Sequence, residues 1–140
     1  MNRQDFRDLT QIRLAEAQVL LDNGKYDGAY YLCGYAIECA LKACIAKMTK
    51  SHDFPPKKRV IEKFYTHEIS TLLGAAGLEK EFDDFIKRNN DKRLERNWAV
   101  VIRWNEDSRY AIHSEKEAKD LFSAIANKKY GVLRWIMQRW

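Results

Sequence analysis

The 140-residue chain is poor in the residues that break or staple a backbone. Two prolines, adjacent at Pro55-Pro56, and six glycines exclude long irregular stretches on composition alone. No apolar run approaches the ~18–20 residues of a membrane span, so no membrane association is expected. The opening MNRQDFRDL has no apolar core of the kind a secretory signal carries, which makes a cytoplasmic location the expectation. The three cysteines, Cys33, Cys39 and Cys44, stand too far apart along one helix to pair. Nothing with CxxC or Cys/His spacing suggests a metal, so neither metal nor cofactor is expected. A Gly-rich phosphate loop, an HExxH pair and a nucleophile elbow are also missing. That removes the usual signatures of phosphate-loop NTPases, zinc proteases and α/β-hydrolases.

What is present is a globular composition, 46% hydrophobic and 32% charged, in a length suited to one domain over 1–140. The stretch from Asp27 to Met48 organises the rest. Ala29, Cys33, Ala36, Ile37, Ala40, Leu41, Cys44, Ile45 and Met48 form one stripe at helical spacing. Leu32, Tyr35, Cys39, Ala43 and Ala46 make the other side apolar too. A helix apolar nearly all round is a central one. Only Glu38 and Lys42, one turn apart and flanked by Tyr31 and Tyr35, interrupt it. Two readings are open: an ordinary surface i,i+4 pair, or a polar notch in a packed helix.

Around this helix the pattern predicts others. One runs from about Asn2 to Asn23, with Phe6, Leu9, Ala17, Leu20 and Leu21 inward and Gly24 as its stop. Thr49 to Tyr65 reads as a loop. Thr66 is the expected cap of a third helix, with His67 in its first turn and Ile69, Leu72 and Leu73 buried. Short helices follow at Leu78–Asn89 and Lys92–Trp104. NEDSRYAIH breaks the pattern, Ser114 and Glu117 form a capping box for the next helix, and a last one lies near Val132–Trp140. Together these segments predict an all-α fold, an antiparallel up-down four-helix bundle with additional short helices.

The net charge of +5 is concentrated. Between Lys87 and Arg103 six cations face two acids, and the last thirteen residues hold Lys128, Lys129, Arg134 and Arg139 with no acid. Such a face beside aromatics suits nucleic acid or nucleotides, or is simply solvated. Four Trp and seven Tyr suggest an aromatic patch between subunits, with Trp98, Trp104 and Tyr110 as its members. A carboxylate on so apolar a helix also needs a cation beyond Lys42. Arg109, in the irregular segment, is the expected partner of Glu38, with Arg96 second.

The run Gly24 to Ala43, GKYDGAYYLCGYAIECALKA, resembles the signature of the HEPN family (higher-eukaryote and prokaryote nucleotide-binding domains). Tyr65-Thr66-His67-Glu68-Ile69, Asn97-Trp98, Ser108-Arg109-Tyr110 and Leu133-Arg134-Trp135-Ile136 resemble further blocks of its stand-alone bacterial and archaeal members. The resemblance implies a helical bundle, usually a homodimer, that binds a nucleotide or RNA or cleaves RNA without a metal. It also implies a toxin–antitoxin or defence gene pair, often with a nucleotidyltransferase as partner.

The family's nuclease motif is an Arg and a His separated by four to six intervening residues. This sequence departs from it. The matching positions before His52 hold Ile45, Ala46 and Lys47, and those before His67 hold Val60, Ile61 and Glu62. Those before His113 hold Glu106, Asp107 and Ser108, and Arg96-Asn97 is followed by Val101, Ile102 and Arg103. Arg109 and His113 remain as a shortened version, so Arg109, His113 and Arg96 are the candidate catalytic residues. Glu38, Lys42, Tyr31, Tyr35 and His67 are the candidate binding residues. Three classes stay open: a nucleotide- or nucleic-acid-binding dimer, an RNase with a divergent site, and a structural partner of a nucleotidyltransferase.

Overall fold

Asn2 starts the first helix. Its side chain accepts a hydrogen bond from the Asp5 backbone N–H at 3.0 Å, and the Asp5 carboxylate accepts one from the Asn2 backbone N–H at 2.7 Å. This reciprocal cap satisfies two N–H groups that would otherwise lack partners. The computed structural model describes residues 1–51 and 58–140. Its helices are α1 (Arg3–Asp22), α2 (Tyr26–Ser51), α3 (Lys58–Phe64), α4 (Ile69–Ala75), α5 (Glu79–Arg88), α6 (Arg93–Val101), α7 (Glu115–Ala126) and α8 (Val132–Met137). A 3₁₀ turn, Glu106–Tyr110, lies between α6 and α7. The fold is all-α, as expected, and no strand occurs among the described residues.

Helix α2 is the hub. It packs along α1 over the longest contact and also touches α4, α7, α8 and the 3₁₀ turn. From Cys33 to Ile45 only Tyr35 and Lys42 are not buried. The turn from α1 into α2 needs Gly24, whose φ of +72° is costly for any residue with a side chain. Gly34 is needed for space: a Cβ there would lie 2.2 Å from the Trp104 ring. That indole lies on the slim face of α2 and brings the start of the 3₁₀ turn down beside it.

Several expectations change. Helix α2 runs past Met48 to Ser51, and the segment read as a loop contains α3. Helix α3 is only seven residues long and fully buries none of them; its short apolar pair, Val60 and Phe64, packs against the edge of the core. Thr66 does not cap α4. Its hydroxyl accepts from the Glu68 N–H at 3.2 Å, and the helix begins at Ile69 without a side-chain cap. His67 therefore precedes the helix. Ser114 caps α7 through the Glu117 N–H at 3.1 Å, but the Glu117 carboxylate bonds the Ser114 hydroxyl and His113 rather than closing the box. His52 and the proline pair lie outside the described residues.

The aromatic patch is corrected as well. Trp104 is buried under the 3₁₀ turn, and Trp98 packs on Phe82 with ring centroids 4.9 Å apart. Both serve the core of one chain. Tyr110 alone of the three is exposed.

Candidate functional site

Glu38 sits on α2 with 1% of its surface accessible, so the polar-notch reading holds over the surface-pair reading. An ionised carboxylate buried this deeply is costly without partners. Lys42, one turn on, donates to Oε1 at 2.8 Å. His67 Nδ1 lies 2.9 Å from the same oxygen, and a carboxylate only accepts, so the ring donates there. The expectation that Arg109 fills this role is overturned. No Arg bonds Glu38, and Oε2 has no hydrogen-bond partner among the described residues. The cation beyond Lys42 is replaced by an imidazole because the loop after α3 reaches the notch first.

Arg109 belongs to the same chain of contacts, three links from Glu38. His67 Nε2 lies 3.3 Å from Glu106 Oε2, and Arg109 Nη1 lies 3.2 Å from Glu106 Oε1. The sequence Lys42–Glu38–His67–Glu106–Arg109 thus runs from the core to the surface, joining α2, the loop before α4 and the 3₁₀ turn. Its inner end is buried, with the Lys42 side chain 12% and that of Glu38 2% accessible, and its outer end is open, with the His67, Glu106 and Arg109 side chains 35–42% accessible. Tyr31 and Tyr35 border the buried end, stacked at 6.2 Å, and Tyr31 also stacks on Trp104 at 5.9 Å. Burial raises the Tyr35 hydroxyl above its ordinary value, with the Cys39 and Glu38 charges adding to the effect. Lys42 further faces the Phe64 ring at 5.1 Å, a cation–π contact that keeps its charge beside the notch.

His113 is engaged elsewhere. Its ring stacks on Tyr30 at 3.7 Å, its Nδ1 meets Glu117 at 3.1 Å, and its backbone N–H donates to Asp27 at 2.6 Å. No bond links it to Arg109, so the shortened Arg/His pair does not form. Hydrogen bonds from His113 first, and then from Ser114, hold the Glu117 carboxyl below its ordinary value. Arg96 is exposed on α6, with no side-chain partner among the described residues. Much of the basic run is spent internally: Arg93 on Asp91 and the Tyr130 ring, Arg139 on Glu81 and the Trp135 ring. The cysteines are buried and free, and burial pushes the Cys33 thiol up to about 12.

The family model of the HEPN domain matches residues 10–128. The chain belongs to the HEPN family. Membership supports a nucleotide- or RNA-related function in general terms. Neither the curated proteins nor the solved structures compared with the chain give a match. No helix among the described residues is long and apolar enough to cross a membrane.

Within this HEPN protein, sequence reasoning found Glu38, Lys42, His67 and Arg109 but missed Glu106, the residue that ties them together. Glu106 opens a segment whose pattern says only that a helix has ended. Its one local cue is Asn105, which caps the turn by a reciprocal pair of bonds with Ser108. No group of three or more His, Cys, Asp or Glu residues suited to a metal occurs among the described residues. What the outer end of the chain offers a ligand is a cation, an imidazole and ring edges.

Proposed function

We propose that this HEPN protein binds a nucleotide or RNA through the outer end of the Glu38–Arg109 chain, and that it works as a homodimer in a two-gene toxin–antitoxin or defence system. The observation that carries the reading is the mounting of His67. One ring nitrogen is fastened to a buried carboxylate, and the other meets the partly exposed Glu106, which also holds Arg109. A buried acid that orients an exposed imidazole is an arrangement surface histidines do not need for solubility. Exposed Tyr65 and Tyr110 flank His67 and Arg109 in sequence and supply faces on which bases could stack.

The dimer reading is supported by the exposed apolar surface beside the site. Ile112 is 90% accessible and Tyr110 76%, unusual values for residues of this size. A nucleotidyltransferase-type partner is the other occupant that the family resemblance implies for this surface. The test of binding is a titration of labelled single-stranded RNA and of nucleotides against wild type, Glu38→Gln and Arg109→Ala, each checked by thermal melting. Loss of binding with the fold intact supports the reading, and unchanged binding in both variants overturns it. Sedimentation of wild type and Ile112→Asp tests the dimer.

A second reading, an RNase with a divergent site, is favoured by one observation: Arg109 and His67 flank the same carboxylate although the linear motif is missing. In that reaction His67 would take the 2′-hydroxyl proton as the oxygen attacks phosphorus. Arg109 would hold the charge that develops on the phosphorus oxygens, and the 5′-oxygen would leave with a proton from water. The products are a 2′,3′-cyclic phosphate and a 5′-hydroxyl. A cleavage assay with His67→Ala and Arg109→Ala as controls tests it.

A further inference from the structure

We infer that Glu106 occupies the place of an RNA phosphodiester between His67 and Arg109, and that RNA binds by displacing it. The inference rests on the RNA-binding reading above and names how that site is regulated. The Glu106 carboxylate spans the two groups with one oxygen each, at 3.3 Å from His67 Nε2 and 3.2 Å from Arg109 Nη1. The two non-bridging oxygens of a phosphodiester present nearly the same bite and the same charge.

The three residues are not held equally. His67 is anchored from behind, because its Nδ1 is bonded to Glu38 and that carboxylate is gripped by Lys42. Arg109 rides on a 3₁₀ turn fixed by the Asn105–Ser108 cap, and its guanidinium rests 4.8 Å above the Tyr110 ring. Glu106 has no hydrogen bond or ion pair beyond these two contacts among the described residues, and its side chain is 35% accessible. Contacts of this length at a wet surface are weak and screened by salt. Glu106 is the member free to swing out, and it leaves behind a guanidinium and an imidazole ring that, when protonated on both nitrogens, donates to an anion through Nε2.

The distinguishing experiment is a fluorescence titration of a labelled single-stranded RNA dodecamer at constant ionic strength. Its variants are wild type, Glu106→Gln, Asp107→Asn and the double variant Glu106→Gln/Arg109→Ala. Asp107 is the exposed neighbour with no partner among the described residues, and it controls for the loss of one negative charge. The expected result is binding about three- to tenfold tighter for Glu106→Gln, the gain from removing a weak internal competitor. Asp107→Asn should stay near wild type, and the double variant should lose the gain. Wild-type binding with no gain in Glu106→Gln, or an equal gain in Asp107→Asn, overturns the displacement while leaving RNA binding in place. If neither wild type nor Glu106→Gln binds RNA, the RNA-binding reading falls and the displacement falls with it.

Discussion

Two histidines of this protein each meet carboxylates, and the surroundings give them opposite roles. His113 is enclosed: it stacks on Tyr30, bonds Glu117 through Nδ1 and ties its backbone to Asp27, with 10% of the side chain accessible and Nε2 buried without a hydrogen-bond partner among the described residues. It fastens the segment before α7 to the start of α2. His67 is fastened to the buried Glu38 by one edge, and its other edge meets only Glu106, a side chain 35% accessible. The acids differ too, since Glu38 is buried while Glu117 is largely exposed. A histidine enclosed by several fixed elements and bound to an exposed acid is a rivet; one mounted on a buried acid, with a single weakly held partner on its outer edge, is a site.

Removing each acid puts this distinction under the greatest load. Glu38→Ala should destabilise the chain by about 3–5 kcal/mol, because Lys42 is left charged in a mostly buried place. Glu117→Ala should cost far less, because the bonds it loses to Ser114 and His113 lie at an exposed, solvent-screened carboxylate. Chemical denaturation measures both, and equal losses would erase the distinction.

Next in size is Gly34→Ala. The new methyl group meets the Trp104 ring, so either α2 or the 3₁₀ turn must shift, at about 1–3 kcal/mol. Because that turn carries Glu106 and Arg109, RNA binding should fall along with stability. The His113 end should keep its stacking, which the Tyr30 ring signals in an NMR spectrum would report.

Replacing the histidines themselves separates the rivet from the site directly. His67→Ala should abolish binding, at a stability cost of about 1–3 kcal/mol from an under-satisfied Glu38. His113→Ala should lose roughly 0.5–1.5 kcal/mol of stacking and leave RNA binding unchanged. Binding lost in His113→Ala and kept in His67→Ala would reverse the assignment.

The smallest effect is one of pH. Glu117 and Glu115 have carboxyls held below a glutamate's ordinary 4.5, Glu117 by His113 and Ser114 and Glu115 by Lys119. A folded-state value below the unfolded one adds stability that is present above about 4.5 and is lost as pH falls through the folded values. The melting temperature should therefore decline slightly below pH 4.5, and the Glu117 carboxyl resonance should titrate below the ordinary range.

Local pattern was enough to place the hub. An apolar helix interrupted by one Glu and one Lys can only be buried, and the Ala, Gly and Cys positions that make it slim are facts of spacing along the chain. The other main helices were legible for the same reason, since each carries a stripe or a cap that periodicity detects. Helix α3 was not, because its seven residues give only Val60 and Phe64 to the edge of the core, too short a pattern to mark a helix. The identity of the partner of Glu38 was a tertiary matter. His67 lies far from Glu38 in sequence and meets it because the loop after α3 folds back onto α2, while Glu106 and Arg109 reach His67 from a turn that Trp104, admitted by Gly34, holds beside α2. Periodicity reports which face of a segment avoids water. Which polar groups share a notch depends on the path of the chain between helices, and no local pattern encodes that path.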